Sequence, residues 1–187
     1  MVIDKNTTAL LVIDALTAAD DTVYAPQGNE AIYAENCVKL TDAAREAGIP
    51  VIFANDDHIV GVDKELELWG PHGIHGQVAN FPELEAGSGP KDFVICKRRY
   101  SSFFGTDLDL LLRELGVRTL IAAGEDTNIC VLHTLADAYY LGYESIVPED
   151  ATRCFLVGTQ EAGIEHIEKC FGSTIATTDA VVAELGA

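Results

Sequence analysis

Three side chains of complementary chemistry stand at the ends of apolar runs in this sequence. Asp14 closes Leu10-Leu11-Val12-Ile13, Lys97 closes Phe93-Val94-Ile95-Cys96, and Cys130 follows the run Thr119 to Ala123 across a short turn. Each has an ordinary reading when taken alone. An aspartate after a strand caps the next turn. A lysine followed by Arg98 and Arg99 belongs to a solvated basic face, and a cysteine between Ile129 and Val131 is a small buried hydrophobe. Together they make a working set: Asp14 takes the thiol proton, Lys97 holds the charge of Asp14, and the thiolate attacks a carbonyl carbon. Cys130 falls near the first turn of a predicted helix, where free N–H groups and the helix dipole favour a thiolate and predict a lowered pKa. Cys37, Cys96, Cys154 and Cys170 read as buried hydrophobes.

The elements that must position these groups alternate along the chain. Strand-like runs cover Thr8 to Asp14, Ile49 to Asn55, Asp92 to Lys97, Arg118 to Ala123, Glu144 to Val147 and Ser173 to Thr177. Helical spacing covers Glu35 to Ala47, Thr106 to Leu115, about Asn128 to Leu141, and Thr159 to Cys170, with Gly48, Gly116 and Gly142 as terminators. Thr106 and Asp109 are spaced as a capping box. Short apolar strands alternating with helices predict a mostly parallel sheet covered on both faces, whose ligands gather outside the carboxyl ends of the strands. Asp14, Lys97 and Cys130 all fall there. The Gly- and Pro-rich stretch Asp57 to Pro90 reads as one long functional loop.

Composition excludes several classes of function. Thirty acidic residues against twelve basic ones give a formal charge of −18, which repels nucleic acid and anionic lipid. That charge suits an ordinary acidic enzyme and a salt-rich cytoplasm alike. The apolar runs are too short to span a membrane, and Met1 to Thr8 lacks the apolar core of a secretory signal. Five widely spaced cysteines without a C-x-x-C pair predict reduced thiols and a cytoplasmic protein.

Asn55-Asp56-Asp57-His58 and Trp69-Gly70-Pro71-His72-Gly73-Ile74-His75 supply two imidazoles and a carboxylate able to hold zinc or ferrous iron with positions left open. Spacing alone leaves this undecided, since a loop histidine more often bonds to backbone or water. Leu10 to Asp14, the run Lys97 to Thr106 (Lys-Arg-Arg-Tyr-Ser-Ser-Phe-Phe-Gly-Thr) and Gly124 to Val131 resemble, in order, the three signature regions of the isochorismatase-like cysteine hydrolase superfamily. That group contains nicotinamidases and N-carbamoylsarcosine amidases.

The resemblance implies a single domain over residues 1–187, a Rossmann-like three-layer α/β/α sandwich around a six-stranded, mostly parallel sheet. It implies Asp14, Lys97 and Cys130 as catalytic triad and a cis peptide joining Glu125 to Asp126. The oxyanion hole would come from the amides of Asp126 and Cys130. It also implies a divalent metal, zinc or alternatively iron, on Asp56, His58 and His72, with Trp69 lining the pocket. Asp57 and His75 fall outside that ligand set, while His133 and His166 read as helix-face residues. Trp69 and Phe104 are placed to flank a flat ring.

The expected activity is cleavage of a C–N bond in a small amide, by a homo-oligomer, with nicotinamide favoured over a carbamoyl amide. A catalytically silent ligand-binding relative is the non-enzyme alternative, disfavoured by retention of all three reactive groups. Two departures from the family pattern bear on the substrate. Asp126 replaces a small residue, adding a carboxylate suited to a donor or cationic substrate, and Ala15-Leu16-Thr17-Ala18 replaces the Gln-Asn-Asp-Phe that often follows the first aspartate.

Overall fold

The computed structural model describes residues 1–17 and 30–187. In chain order the first elements are β1 (Thr8–Ile13), β2 (Leu16–Thr17), α1 (Glu30–Ala47) and β3 (Val51–Asp56). Next come α2 (Glu65–Trp69), β4 (Ala79–Asn80), β5 (Asp92–Lys97), α3 (Leu108–Glu114) and β6 (Thr119–Glu125). The remainder are α4 (Leu132–Leu141), β7 (Glu144–Pro148), β8 (Thr152–Arg153), α5 (Gln160–Phe171), β9 (Thr174–Ala176) and α6 (Thr178–Gly186). The main sheet runs β5-β3-β1-β6-β7-β9, and every neighbouring pair is parallel. The expected six strands are these; the two-residue β8, beside β6, makes a seventh.

Continuous apolar runs become central strands because both faces are covered. Ala9, Leu11 and Ile13 of β1 pack with Leu108 and Leu112 of α3, Leu135 and Ala138 of α4, and Ile164 and Ile167 of α5. Leu10 and Val12 face the other way, toward Tyr33, Cys37, Leu40 and Ala44 of α1 and Val181 and Leu185 of α6. Strand order reverses between β1 and β6, so the switch point lies where Ile13 is level with Gly124. Gly124 has φ +128°, and a Cβ there would meet the Ile13 carbonyl oxygen at 1.9 Å. Only glycine lets the backbones close up beneath the site.

Several boundaries differ from the sequence reading. The stretch Asp57 to Pro90 contains α2 and β4, and β4 pairs antiparallel with β2. Leu16 and Thr17, within the second departure, therefore form a small ribbon, while Ala18 lies outside the described residues. The capping box does not form: Thr106 Oγ1 accepts from the Leu108 amide at 3.2 Å, but Asp109 is turned toward Arg113 and the Tyr143 hydroxyl. Of the four cysteines read as buried, Cys96 and Cys170 are exposed. Cys96 is on β5, the edge strand, where alternate side chains face outward.

The start of β5 is tied down by Asp92, whose side chain is 1% exposed. It accepts from Arg45 Nη2 at 2.7 Å and from the Gly89 and Gly87 amides at 3.0 and 3.2 Å. Burial alone would raise its pKa, but the Arg45 hydrogen bond and the amides outweigh this and hold it below the usual carboxylate value. A depressed folded-state pKa contributes stability above the unfolded value of about 3.9, lost as pH falls through the folded one. Asp92→Asn is expected to cost about 1.5–3 kcal/mol at pH 7 and markedly less in acid, as read by urea unfolding at both pH values. An equal loss at both would contradict this.

Candidate active site

The carboxyl ends of the adjacent strands β5, β3, β1 and β6 deliver the reactive groups. Lys97 is level with Asp56 across the β3–β5 pair, and Asp14 follows β1 with φ +51°. This turn lets Asp14 Oδ1 accept from the Asp56 amide at 2.8 Å. Lys97, fully buried, reaches across the end of β3 and sets its Nζ 2.7 Å from Asp14 Oδ2 and 2.5 Å from Asp56 Oδ1. The same nitrogen is 3.5 Å from Cys130 Sγ. One carboxylate oxygen each of Asp14 and Asp56 lies within 4.8 Å of that sulfur. The structure thus brings Asp14, Lys97 and Cys130 together, and adds Asp56 as a second carboxylate on the lysine.

The charges in this cluster are mutually dependent. Burial would lower the Lys97 pKa, but Asp14 and Asp56 together push it well above the ordinary range. Asp14 is raised to about 7, first by burial and then by the charge of Asp56, with Lys97 opposing. Cys130 reverses the expectation of a lowered thiol pKa: burial pushes it well above the ordinary value, and Lys97 only partly counters. A resting thiol beside a carboxyl group titrating near neutrality is a pair between which a proton can move as substrate arrives.

Cys130 is carried on a π-helical turn, Thr127–Val131, in which the Val131 amide reaches back to the Asp126 carbonyl at 3.1 Å. The preceding Glu125–Asp126 peptide is cis. Asp126 is 4% exposed. Its Oδ1 accepts from the Asn128 amide at 2.7 Å, and its Oδ2 accepts from the Phe155 and Leu156 amides at 2.8 and 2.9 Å. The carboxylate is therefore committed to backbone donors. This corrects the reading of Asp126 as a group offered to a cationic substrate.

Beside the cysteine cluster, Asp56, His58 and His72 are buried and offer ligand atoms within 4.8 Å of one another. Gly73, with φ +53°, brings the histidine loop against Asp56, since a Cβ there would meet the Asp56 Cβ at 2.5 Å. The Gly73 carbonyl accepts from the His58 amide at 2.7 Å. His72 Nδ1 donates to the Gly70 carbonyl at 2.8 Å, which leaves Nε2 as the nitrogen able to serve a metal. Among the described residues neither ring nitrogen of the buried His58 has a hydrogen-bond partner within 3.5 Å; Nε2 lies 3.6 Å from Asp56 Oδ2 and Nδ1 3.8 Å from Asp63 Oδ2. A buried imidazole so placed, facing a carboxylate and a second imidazole, suits a divalent ion. Glu65, unremarked in the sequence, adds a carboxylate 3.7 Å from His58 Nε2. Asp57 and His75 bond to each other at 2.8 Å, away from the cluster.

The cleft above Cys130 is lined by Asp56, Glu65, Trp69, His72, Tyr100, Asp126, Ile129, Phe155 and Leu156. Trp69 is there as expected, with its Nε1 donating to the Tyr100 hydroxyl at 2.9 Å. Phe104 is not: it is 65% exposed, carried outward on the turn after Tyr100. Phe155 supplies the aromatic face instead. Its signal in the sequence was positional, since the loop after β7 also leaves the carboxyl end of the sheet. His133 and His166 are exposed, the first bonded to the Ile129 carbonyl and the second against Phe171.

Known proteins are similar to this chain over most of its length. Among curated relatives, ureidoacrylate amidohydrolase of Agrobacterium fabrum is 34% identical, aligning 77% of this chain with 72% of its own. The corresponding protein of Enterobacter sp. is 36% identical over 90% of this chain and 86% of its own. Among solved structures, nicotinamidase from Bacillus subtilis superposes with a TM-score of 0.83 at 33% identity, over 91% of this chain and 99% of that one. N-carbamoylsarcosine amidase from Thermoplasma acidophilum gives 0.82 at 30% identity, over 92% and 97%. The isochorismatase domain model matches residues 8–179, a span that begins at β1 and holds the whole cysteine cluster, and the chain belongs to the isochorismatase domain family.

Proposed function

We propose that this protein hydrolyses the C–N bond of a small amide through a covalent acyl-enzyme on Cys130. The observation that carries the reading is the placement of Lys97 Nζ 3.5 Å from Cys130 Sγ and 2.7 Å from Asp14 Oδ2. Asp14 takes the Sγ proton, and the thiolate attacks the amide carbon. The amides of Asp126 and Cys130 receive the oxyanion. Protonated Asp14 gives its proton to the leaving nitrogen, so ammonia departs and a thioester remains. Asp14 then takes a proton from water as the hydroxide adds, and collapse releases the carboxylic acid and restores the thiol. Lys97 keeps the Asp14 carboxyl group in place throughout and balances its charge whenever it is ionised.

Asp56, His58 and His72 would hold a divalent ion, zinc or alternatively iron, whose open position supplies Lewis acidity toward a donor atom of the substrate. Protein purified without added metal is expected to carry about one ion per chain. Elemental analysis of His72→Ala beside wild type checks this, and equal metal in both would remove His72 from the ligand set.

For the substrate, a neutral heteroaromatic amide of the nicotinamide kind is favoured. Trp69, Tyr100 and Phe155 offer aromatic surface, and among the described residues lining the cleft there is no lysine or arginine to pair with a substrate carboxylate. The second reading, a carbamoyl or ureido acid, is supported by the likeness to ureidoacrylate amidohydrolases. Ammonia release from nicotinamide, pyrazinamide, benzamide, N-carbamoylsarcosine and ureidoacrylate separates the two. The ring amides are expected to give the highest kcat/KM, with benzamide the poorest of them for want of a ring nitrogen. Activity confined to the carbamoyl and ureido compounds would reverse the substrate assignment and leave the cysteine chemistry intact.

A cytoplasmic setting is part of this proposal, supported by five unpaired thiols and by the lack, among the described residues, of a helix long and apolar enough to cross a membrane. So is a homo-oligomer, supported by the exposed Tyr139, Tyr140 and Leu141 on α4.

A further inference from the structure

Four consecutive residues before the nucleophile grip one distant loop. Glu125 Oε2 accepts from Arg153 Nε at 2.7 Å and lies 2.6 Å from Nη2 in an ion pair, and both side chains are buried or nearly so. The Arg153 guanidinium in turn lies under the Phe155 ring, 4.4 Å from its centroid. Asp126 holds the Phe155 and Leu156 amides on a single carboxylate oxygen. Thr127 Oγ1 donates to Gln160 at 2.8 Å, and Asn128 Nδ2 donates to the Thr159 carbonyl at 3.1 Å. Phe155 is thus fixed twice, at its amide by Asp126 and at its ring by Arg153, which Glu125 holds. Both Phe155 and Leu156 wall the cleft over Cys130.

We infer that Asp126 is a positioning residue for substrate selection, setting through its carboxylate where the Phe155–Leu156 wall stands relative to the thiol. The wall limits how large the non-reacting part of the amide can be. Both anchors trace back to Glu125 and Asp126, which lead directly into the turn that carries the nucleophile, so distance between wall and sulfur is set locally and not by the stacking of whole helices. A backbone donor on a charged, buried acceptor is among the stronger hydrogen bonds a protein makes, and Asp126 supplies two such bonds to adjacent wall residues. The inference rests on the amide-hydrolase reading above.

The test compares two substrates that differ only in bulk. The better of nicotinamide and N-carbamoylsarcosine is assayed against its larger analogue, quinoline-3-carboxamide or N-carbamoylproline, with wild type, Asp126→Asn and Arg153→Lys. Asp126→Asn is expected to raise KM for the smaller amide about tenfold, more than it lowers kcat, and to narrow the small-to-large ratio of kcat/KM by a similar factor. Arg153→Lys keeps a cation for Glu125 but removes the flat one under Phe155, and is expected to narrow the same ratio to a lesser degree. A residue acting only in folding would lower kcat equally for both amides and leave the ratio unmoved. An unchanged ratio in both variants overturns the inference, and if Asp126→Asn does not fold, the Arg153→Lys ratio decides alone. Wild-type protein inactive on every amide would overturn the hydrolase reading and this inference together; active wild type with unmoved ratios overturns this inference only.

Discussion

Cys130→Ala is expected to reduce ammonia release by a factor on the order of 10⁴ or more, and Asp14→Asn by a comparable factor. The thiol is buried beside Lys97 and pushed to a high pKa, so it is not a nucleophile until its proton has somewhere to go. Asp14 is the acceptor in reach, raised to about 7 and therefore able both to take the proton and to return it. Removing either member disables the pair, so the double variant should be little worse than the worse single one. Far-UV circular dichroism on each variant separates lost chemistry from lost fold. Folded Asp14→Asn with near wild-type turnover would remove Asp14 from the mechanism.

Lys97→Met is expected to cost about 3–5 kcal/mol of folding stability as well as activity, because it leaves Asp14 and Asp56 buried and facing each other without a cation. Methionine nearly conserves the side chain's length, so a cavity accounts for little of the loss. The destabilisation should shrink as pH falls, since a proton on one carboxylate relieves the repulsion that the ammonium had offset. Asp14 titrates near 7 with the ammonium beside it and higher without it, so urea unfolding of metal-free wild type and variant at pH 9 and pH 6 measures both effects. A loss below about 1 kcal/mol at pH 9 would mean that the carboxylates find another partner.

The sequence made the sheet legible because its central strands are apolar on both faces, and runs as short as Leu10 to Ile13, rich in branched residues and alternating with helical segments, suit buried parallel strands. Strand ends then located Asp14, Lys97 and Cys130 by the general rule for open parallel sheets. What stayed hidden depends on how loops fold back over those ends. Phe104 and Phe155 are equally aromatic on paper, but only the turn after β8 and the Asp126 carboxylate, which holds the Phe155 amide, bring Phe155 into the cleft beside the thiol. Glu65 carries no motif and joins the histidine pair only because α2 forms inside a stretch rich in glycine and proline. The dipole argument for a low Cys130 pKa was sound locally and lost to burial, a property of the assembled core. The helix Thr178–Gly186 escaped notice because it is short and has its apolar face against α1.

The most direct test of the covalent mechanism is mass spectrometry of wild-type protein quenched in acid during turnover, with the active amide as substrate. The account predicts a mass gain equal to the acyl group, without its nitrogen, on the peptide that contains Cys130. An acyl group on another side chain, or sustained turnover with no protein-bound acyl group at any quench time, would contradict it.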